Sequence, residues 1–273
     1  MTSIYKLIAI DIDGTLVDKS HVISDVNLKA LRKARDQGVK ITLSTGRMFP
    51  AARSFALLLN LDVPIITNQG SQIRYAHDDK IIYKQVVDSE LAYRVVSYLE
   101  KKPGRTFLYV DDLLIASGED EYTTRYLQHS PDVKLTIIEQ MAEWLGQGDK
   151  EDSLLKISYV ATPEMVSEEL KSLQKLFELE LELTRTYPGF LEMGPKGIHK
   201  GSALRWLADY YGISMSETMV IGDSVNDIEM FEEAGLAIVV ADGQEKAIAA
   251  ADEITAACAE DGVAVALKRH VIF

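Results

Sequence analysis

The outer thirds of this chain alternate short apolar runs with segments of helical periodicity. Apolar runs at 6–10, 39–44 and 65–67 are separated by two amphipathic stretches. Because parallel strands need long crossover connections, this β-α-β-α-β order predicts parallel strands with right-handed crossovers. The same alternation returns after Pro195. We therefore expect the two outer thirds to form one α/β domain around a single parallel sheet.

Two residues are predicted to begin helices in these outer thirds. Ser24 precedes a helical pattern that ends near Gly38, and Asp261 precedes the last helical pattern of the chain. Each side chain can accept a hydrogen bond from an amide of the first helical turn, and glycine is a common helix stop. The sequence therefore predicts capped helices at both places.

Strands and helices are ordered differently in the middle of the chain, from about residue 71 to residue 186. Asp111 and Asp112 separate two strand-like runs so closely that the strands are expected to pair antiparallel. This part therefore resembles an α+β domain inserted into the α/β domain. We expect a core of residues 1–85 and 192–273 and an inserted domain of residues 86–191.

Composition narrows the class of protein. The formal net charge of −13 opposes binding to nucleic acid, and no apolar run is long enough to span a bilayer. Cys258 is the single cysteine, so no intrachain disulfide can form, and the first residues lack a secretion-signal pattern. We expect a cytoplasmic protein that binds neither nucleic acid nor membranes, as a monomer or a weak homodimer.

A pair of carboxylates leaves the first predicted strand. The segment D-I-D-G-T-L begins at Asp11, directly after the apolar run at 6–10. Because strand side chains alternate, Asp11 and Asp13 are expected on the same side, and Gly14 turns the chain away. Such a pair can hold a cation, attack phosphorus or transfer a proton.

Three further segments carry chemically useful groups near the ends of predicted strands. Thr45 and Gly46 offer a hydroxyl and backbone amides, which suit phosphate oxygens. Lys200 begins a predicted helix, where the helix dipole disfavours a cation. Asp223 and Asp227 add two carboxylates at a strand-to-helix turn. Open α/β sheets place their sites at the carboxyl edge, so these groups are expected to meet there.

The expected convergence of four carboxylates predicts a bound divalent cation, because their mutual repulsion is otherwise costly. An all-oxygen donor set suits Mg²⁺ better than zinc, which favours His and Cys. An EF-hand is excluded by residue type, since Leu16 stands where that loop needs glycine and Val22 where it needs glutamate. The sequence contains neither a dinucleotide-binding glycine fingerprint nor a Walker-type phosphate loop.

Four motifs together resemble those of the haloacid dehalogenase superfamily. They are, in chain order, D-I-D-G-T-L, S-T-G-R, H-K-G and G-D-S-V-N-D. The long insert between the second and third motifs resembles the type IIB cap of the Cof-type sugar-phosphatase subfamily, as does the segment I-T-N-Q-G. The resemblance implies a Rossmann-like parallel-sheet core with an inserted α+β cap domain for substrate selection.

The resemblance also implies roles for individual residues. Asp11 would be the nucleophile that becomes an aspartyl phosphate. Asp13 would protonate the leaving alcohol and then activate water. The phosphoryl oxygens would be held by Thr45, Gly46, Lys200 and Asn226. The Mg²⁺ ion would be held by Asp11, the main-chain carbonyl of Asp13, Asp223 and Asp227.

The resulting expectation is a Mg²⁺-dependent phosphatase of a small phosphorylated metabolite, which the resemblance implies is a sugar phosphate. A phosphomutase or phosphotransferase on the same fold and a phospho-receiver or sensor module are the alternatives.

Three sequence features leave details of the site open. Gln69-Gly70-Ser71 stands where the subfamily usually has Asn-Gly-Ala, and Gly243-Gln244-Glu245 where it often has Gly-Asn-Ala. Both departures concern how a substrate is oriented. Arg47 has two interpretations, a phosphate ligand or an ion pair at the sheet edge.

Overall fold

The computed structural model describes residues 4–129, 132–147, 153–177 and 179–271. The strands are β1 (Leu7–Ile10), β2 (Lys40–Leu43), β3 (Ile65–Thr67), β4 (Gln72–Arg74), β5 (Ile81–Lys84), β6 (Arg105–Val110), β7 (Leu113–Ala116), β8 (Lys134–Ile137), β9 (Leu154–Val160), β10 (Leu181–Tyr187), β11 (Phe190–Pro195), β12 (Thr218–Gly222), β13 (Leu236–Val239) and β14 (Glu253–Ile254). The α-helices are α1 (Asp25–Asp36), α2 (Phe49–Leu58), α3 (Ser89–Leu99), α4 (Glu121–His129), α5 (Met141–Gly146), α6 (Pro163–Phe177), α7 (Lys200–Tyr210), α8 (Ile228–Glu233), α9 (Glu245–Ala250) and α10 (Gly262–His270).

A five-stranded sheet unites the two outer thirds of the chain. Its strand order is β14-β13-β12-β1-β2, and all neighbouring pairs are parallel. Leu7 is in register with Lys40 on one side and with Thr218 on the other. Every residue of β1 is buried, as expected for a strand covered on both faces. The predicted parallel sheet is therefore confirmed.

The strand β3 departs from the predicted pattern. It pairs antiparallel with β4 in a separate three-stranded sheet of order β3-β4-β5, and meets β2 through one parallel bridge between Ser44 and Ile66. The expected parallel neighbour of 65–67 is therefore present only at that bridge, and the regular pairing of β3 is antiparallel. The reason is local: a tight turn at Asn68–Gly70 reverses the chain directly after β3, so β4 provides most of its hydrogen-bond partners.

A six-stranded mixed sheet is built from the middle of the chain. Its order is β10-β11-β9-β6-β7-β8, with antiparallel pairs except for β7 and β8. The predicted antiparallel pairing across Asp111 is confirmed, and Asp111 takes the left-handed conformation that a tight turn needs. Helices α3, α5 and α6 contribute buried residues to one apolar cluster with this sheet.

The two predicted helix caps have different outcomes. Ser24 caps α1, because its side chain accepts from the amide of Asn27 at 3.0 Å. Asp261 stands at the start of α10 but makes no side-chain cap, so that prediction was wrong. Its backbone is left-handed, with φ 61°, and its carboxylate instead accepts from the Ser24 hydroxyl at 2.5 Å.

The chain divides into two compact units. The first contains Met1–Arg47, Ala52–Ile82 and His199–Phe273, and the second contains Met48–Ala51 and Tyr83–Ile198. The five-stranded sheet belongs to the first unit and the six-stranded sheet to the second. In the part of the chain that the structure describes, no helix combines the length and apolar character that crossing a membrane requires.

Candidate active site

The candidate site lies where β1 and β12 end side by side in the five-stranded sheet. Ile10 and Ile221 are in parallel register, and the amide of Asp11 donates to the carbonyl of Ile221 at 3.0 Å. Asp223 follows β12 directly. Parallel strands thus deliver the two acidic motifs to one edge, although they are more than 200 residues apart in sequence.

Three carboxylates meet at this edge. One oxygen from each of Asp11, Asp223 and Asp227 lies within 4.8 Å of the others. Asp11 is 5% exposed and Asp227 is fully buried. Glycines make the room for them: a Cβ on Gly14 would lie 2.6 Å from Asp223 Oδ2, and one on Gly222 would lie 2.6 Å from Asp227 Oδ2.

The ammonium of Lys200 lies between two of these carboxylates. Its Nζ donates to Asp11 Oδ1 and to Asp227 Oδ1, both at 2.6 Å, and the residue is 1% exposed. His199 caps the same helix α7 through Nδ1, which accepts from the Ser202 amide at 3.3 Å. A cation at a helix N-terminus opposes the dipole, so the carboxylates account for its placement here.

Burial dominates the electrostatics of the group. It raises the pKa of Asp11 well above its usual range and raises the pKa of Asp223 to about 7; Asp227 adds to both shifts by charge repulsion. Burial lowers the pKa of Lys200, but Asp11 and Asp227 more than reverse this, so its pKa is raised and the ammonium stays charged. The site therefore favours additional positive charge.

Backbone amides and one hydroxyl fix the carboxylates that flank the helical turn after β12. Asp227 Oδ2 accepts from the amides of Asp223 and Ser224 at 2.9 and 3.0 Å, while Oδ1 faces Lys200. Asp223 Oδ1 accepts from the Thr15 hydroxyl at 3.1 Å. Sequence reasoning did not assign Thr15, although it lies within the D-I-D-G-T-L motif.

The side chain of Asp13 is directed to Arg47 rather than to the three-carboxylate group. Arg47 Nε donates to Asp13 Oδ2 at 2.7 Å, and Nη2 donates to Oδ1 at 2.5 Å. His21 Nδ1 lies 3.0 Å from Arg47 Nη2 and 3.8 Å from Asp13 Oδ1. Of the two interpretations of Arg47, the structure contains the ion pair. Sequence reasoning missed His21, which no motif marks.

The predicted phosphate-binding residues Thr45 and Asn226 follow β2 and β12, which end at the same edge of the five-stranded sheet. Thr45 is 1% exposed, and its hydroxyl accepts from the amide of Arg47 at 3.1 Å. Asn226 donates through Nδ2 to Gln69 Oε1 at 3.1 Å. Gly46 lies against Gln69, since a Cβ on Gly46 would be 2.5 Å from its Nε2. Gln69 therefore contacts two of the proposed phosphate-binding residues, Gly46 and Asn226. The sequence analysis noted it only as part of a departure from the subfamily's Asn-Gly-Ala segment.

The donor set fits a hard divalent cation. All three members of the group offer carboxylate oxygens, which Mg²⁺ and Ca²⁺ prefer, and neither His nor Cys is among them. With such a cation bound and the Lys200 ammonium beside it, the edge would hold enough positive charge to bind an anion that carries several oxygens, such as a phosphoryl group.

A parallel α/β sheet with buried acidic groups and a lysine at its carboxyl edge suits phosphoryl-transfer chemistry, which depends on positioning and charge neutralisation. Residues 8–267 match the family model of the haloacid dehalogenase-like hydrolases, and the chain belongs to this family. Within it, the chain is a phosphatase of the Cof-type, subclass IIB group, with a Rossmann-like core and an inserted cap.

Individual relatives support this assignment. The chain is 33% identical over 268 residues to the 5-amino-6-(5-phospho-D-ribitylamino)uracil phosphatase YcsE of Bacillus subtilis (strain 168), which covers 98% of this chain and 96% of the relative. A haloacid dehalogenase-like hydrolase from Bacteroides thetaiotaomicron has a TM-score of 0.85 at 25% identity, covering 97% of this chain and 99% of that one. The subclass IIB sugar phosphatase BT4131 has a TM-score of 0.82 at 27% identity, covering 97% and 98%.

Proposed function

We propose that the enzyme is a Mg²⁺-dependent phosphatase that hydrolyses a small phosphorylated metabolite, of the sugar-phosphate class, through an aspartyl phosphate on Asp11. The observation that carries this proposal is the ammonium of Lys200, which lies 2.6 Å from Asp11 Oδ1 inside a buried acidic group. Because the helix dipole opposes a cation at that terminus, the two carboxylates hold the ammonium there, next to the proposed nucleophile.

Asp11 is the proposed nucleophile. Its carboxylate attacks phosphorus in line with the leaving oxygen, so that an acyl–phosphate bond forms as the ester P–O bond breaks. Asp13 gives the alcohol its proton and then takes a proton from the water that attacks the phosphorus. The second step releases inorganic phosphate and restores the Asp11 carboxylate.

Lys200, Thr45, Gly46 and Asn226 are the proposed ligands of the phosphoryl oxygens. The Lys200 ammonium is fixed by two carboxylates, so it can offset charge on the equatorial oxygens without reorganising. Thr45 and Gly46 follow β2 at the same sheet edge and add a hydroxyl and an amide.

Mg²⁺ is the proposed cofactor, held by Asp11, Asp223 and Asp227 with the main-chain carbonyl of Asp13. When bound, it supplies positive charge that neutralises the acidic group and polarises a phosphoryl oxygen. The carboxylate donor set supports this choice. The hydroxyl of Thr15 donates to the Asp223 carboxylate and so orients this proposed Mg²⁺ ligand.

Residues 86–191 are the proposed cap domain, which selects the leaving group. Two similar proteins guide the substrate class: YcsE is named for a phosphorylated ribityl compound, and BT4131 is described as a sugar phosphatase. Both descriptions involve a phosphate ester on a sugar or sugar-derived chain. A small phosphorylated polyol or sugar is therefore the substrate class to test first.

The test is a phosphate-release screen over phosphorylated metabolites, run with Mg²⁺ and with EDTA. We expect release only with Mg²⁺, and a loss of at least about 10³-fold in Asp11→Asn. Asp18→Asn is the matched control, because Asp18 is an exposed turn residue that binds Ser20 and should leave the rate unchanged.

A second measurement tests the covalent step. Acid-quenched enzyme should carry one phosphoryl group by mass spectrometry, and this adduct should be missing in Asp11→Asn. Hydrolysis by Asp11→Asn at the parent rate would overturn the nucleophile. Transfer of the phosphoryl group to a second substrate hydroxyl, without phosphate release, would replace the phosphatase by a phosphomutase.

A further inference from the structure

Gln69 occupies a turn with unusual backbone geometry. Asn68, Gln69 and Gly70 have φ values of 51°, 58° and 101° in succession. Left-handed backbone is unfavourable for residues with a Cβ, and it persists where surrounding contacts impose it. At Gly70 a Cβ would lie 2.4 Å from the carbonyl oxygen of His199, so this turn is packed against the start of α7.

The turn is fixed to the segment that contains the proposed phosphate ligands Thr45 and Gly46. The amide of Asn68 donates to the carbonyl of Arg47 at 2.9 Å, and the amide of Gln69 donates to the carbonyl of Thr45 at 3.2 Å. Gly46 leaves the space through which the Gln69 carboxamide passes, since a Cβ there would lie 2.5 Å from Nε2. The direction of the Gln69 side chain is therefore set by backbone contacts.

That side chain ends on Asn226. Gln69 Oε1 accepts from Asn226 Nδ2 at 3.1 Å, and the two residues are 9% and 7% exposed. The oxygen of the Asn226 carboxamide, Oδ1, accepts from the hydroxyl of Ser224. Because Nδ2 donates to Gln69 and Oδ1 accepts from Ser224, the two contacts together fix the orientation of the Asn226 carboxamide.

We propose that Gln69 is a positioning residue that holds the Asn226 carboxamide so that its second N–H points to the transferred phosphoryl group. A carboxamide nitrogen has two N–H donors, and Gln69 engages one of them. The inference rests on the proposed function, in which Asn226 binds a phosphoryl oxygen. It gives a chemical role to a segment that departs from the subfamily pattern.

Because Gln69 acts at the phosphoryl end, its effect is the same for every leaving group. The contact orders Asn226 before the substrate binds, so it strengthens the ground state and the transition state alike. Loss of the contact should therefore raise KM and the dissociation constant of inorganic phosphate, and should leave kcat within about twofold. A residue that only supports the fold would not produce this split.

A double-mutant cycle tests the proposal. Gln69→Leu removes the acceptor at nearly constant volume, Asn226→Ala removes the proposed ligand, and the third variant combines them. The readouts are the dissociation constant of inorganic phosphate with Mg²⁺, by calorimetry, and KM and kcat for the best substrate. We expect Gln69→Leu to weaken phosphate binding by about 5- to 20-fold, the effect of one hydrogen bond, and the double variant to be no weaker than Asn226→Ala alone.

Gln72→Leu is the matched control. Gln72 is 1% exposed, and neither polar atom of its side chain has a hydrogen-bond partner among the described residues. The same substitution three positions along should therefore leave phosphate affinity and KM at parent values. A Gln69→Leu protein with parent phosphate affinity, or one in which kcat falls and KM stays constant, would overturn the proposal.

The failure of this inference can be told from the failure of the proposed function. A parent protein that releases no phosphate from any monoester refutes the function, and the inference with it. Losses from Gln69→Leu and Asn226→Ala that multiply in the double variant, in a parent protein that does release phosphate, refute only the positioning role of Gln69.

Discussion

Arg47 and Asp13 are joined by two hydrogen bonds, from Nε to Oδ2 at 2.7 Å and from Nη2 to Oδ1 at 2.5 Å. The Arg47 side chain is 12% exposed, and its guanidinium lies 5.2 Å from the centre of the Phe55 ring. A planar guanidinium restricts a carboxylate far more than an ammonium can. Arg47 therefore sets the orientation of the proposed acid–base residue.

The first prediction concerns this pair. Arg47→Lys keeps the charge but loses the paired geometry, so kcat should fall by about tenfold or more, the effect of a lost charge-assisted hydrogen bond. Steady-state kinetics on the best substrate measures it. Arg53→Lys is the control, since Arg53 is more exposed and contacts Asp79 and the carbonyl of Ala76. Unchanged kcat in Arg47→Lys would contradict the role of Arg47.

The second prediction compares two glycines of similar conformation. Gly14 and Gly38 have φ of 84° and 88°, but a Cβ would meet Asp223 at 2.6 Å only on Gly14, while Gly38 has nothing within 4 Å. Gly38→Ala should cost roughly 1 kcal/mol of unfolding free energy, the strain of left-handed backbone, and keep parent activity. Gly14→Ala should also displace Asp223, and should therefore raise the Mg²⁺ concentration needed for half-maximal activity by about tenfold or more. Urea unfolding measures the loss of stability, and Mg²⁺ titration of the rate distinguishes the two variants. The same Mg²⁺ requirement in Gly14→Ala and Gly38→Ala would contradict the displacement of Asp223.

The third prediction concerns pH in the metal-free protein. Burial raises the pKa of Asp223 to about 7 from an ordinary 3.8. The folded protein therefore retains a proton here that the unfolded chain releases, so this contribution to stability is present below about pH 4 and is lost as pH rises through about 7. In EDTA, unfolding free energy should decline over this range, and less steeply in Asp223→Asn.

Two comparisons complete the pH experiment. The exposed-residue variant Asp36→Asn should keep the parent slope, since Asp36 lies on the solvent side of α1. Mg²⁺ should raise the melting temperature more at pH 8 than at pH 5, because the cation competes with the proton for Asp223. An identical slope in Asp223→Asn would remove Asp223 as its source.

The fourth prediction concerns stability away from the site. The Ser24 hydroxyl accepts from the Asn27 amide at 3.0 Å and donates to Asp261 at 2.5 Å, so it joins α1 to the start of α10. Ser24→Ala should lower the unfolding free energy by about 1–2 kcal/mol, as for other helix caps, with KM and kcat unchanged. Ser172→Ala, on an exposed face of α6, should be neutral. A parent-like denaturation midpoint for Ser24→Ala would contradict this account.

The sequence was most informative where a pattern has one physical solution. Fully apolar runs such as β1 have no exposed face, so they required a sheet covered on both sides. β3 has only three residues, too few to reveal which neighbour it pairs with. Asp261 has a residue type suited to capping, but its left-handed backbone directs the side chain elsewhere, and residue type does not report φ.

Some features of the candidate site could be predicted from the sequence, and others could not. The acidic motifs were visible because each follows an apolar run, and the rule for parallel sheets placed them at one edge. The contact between Gln69 and Asn226 joins residues 157 positions apart, and neither residue signals the other in sequence. The two interpretations of Arg47 differed only in where a long side chain lies, which depends on Asp13 and Phe55.

The position of β1 in the five-stranded sheet determines when the site can form during synthesis. β1 lies between β2 and β12, and Leu7 pairs with Thr218. Its backbone hydrogen bonds with β12 must therefore wait until the ribosome has produced more than 200 further residues, while the six-stranded sheet needs nothing made after β11. A nascent chain released before β12 contains Asp11 and Asp13 directly after an apolar strand with one open edge, and is an aggregation-prone polypeptide rather than an enzyme.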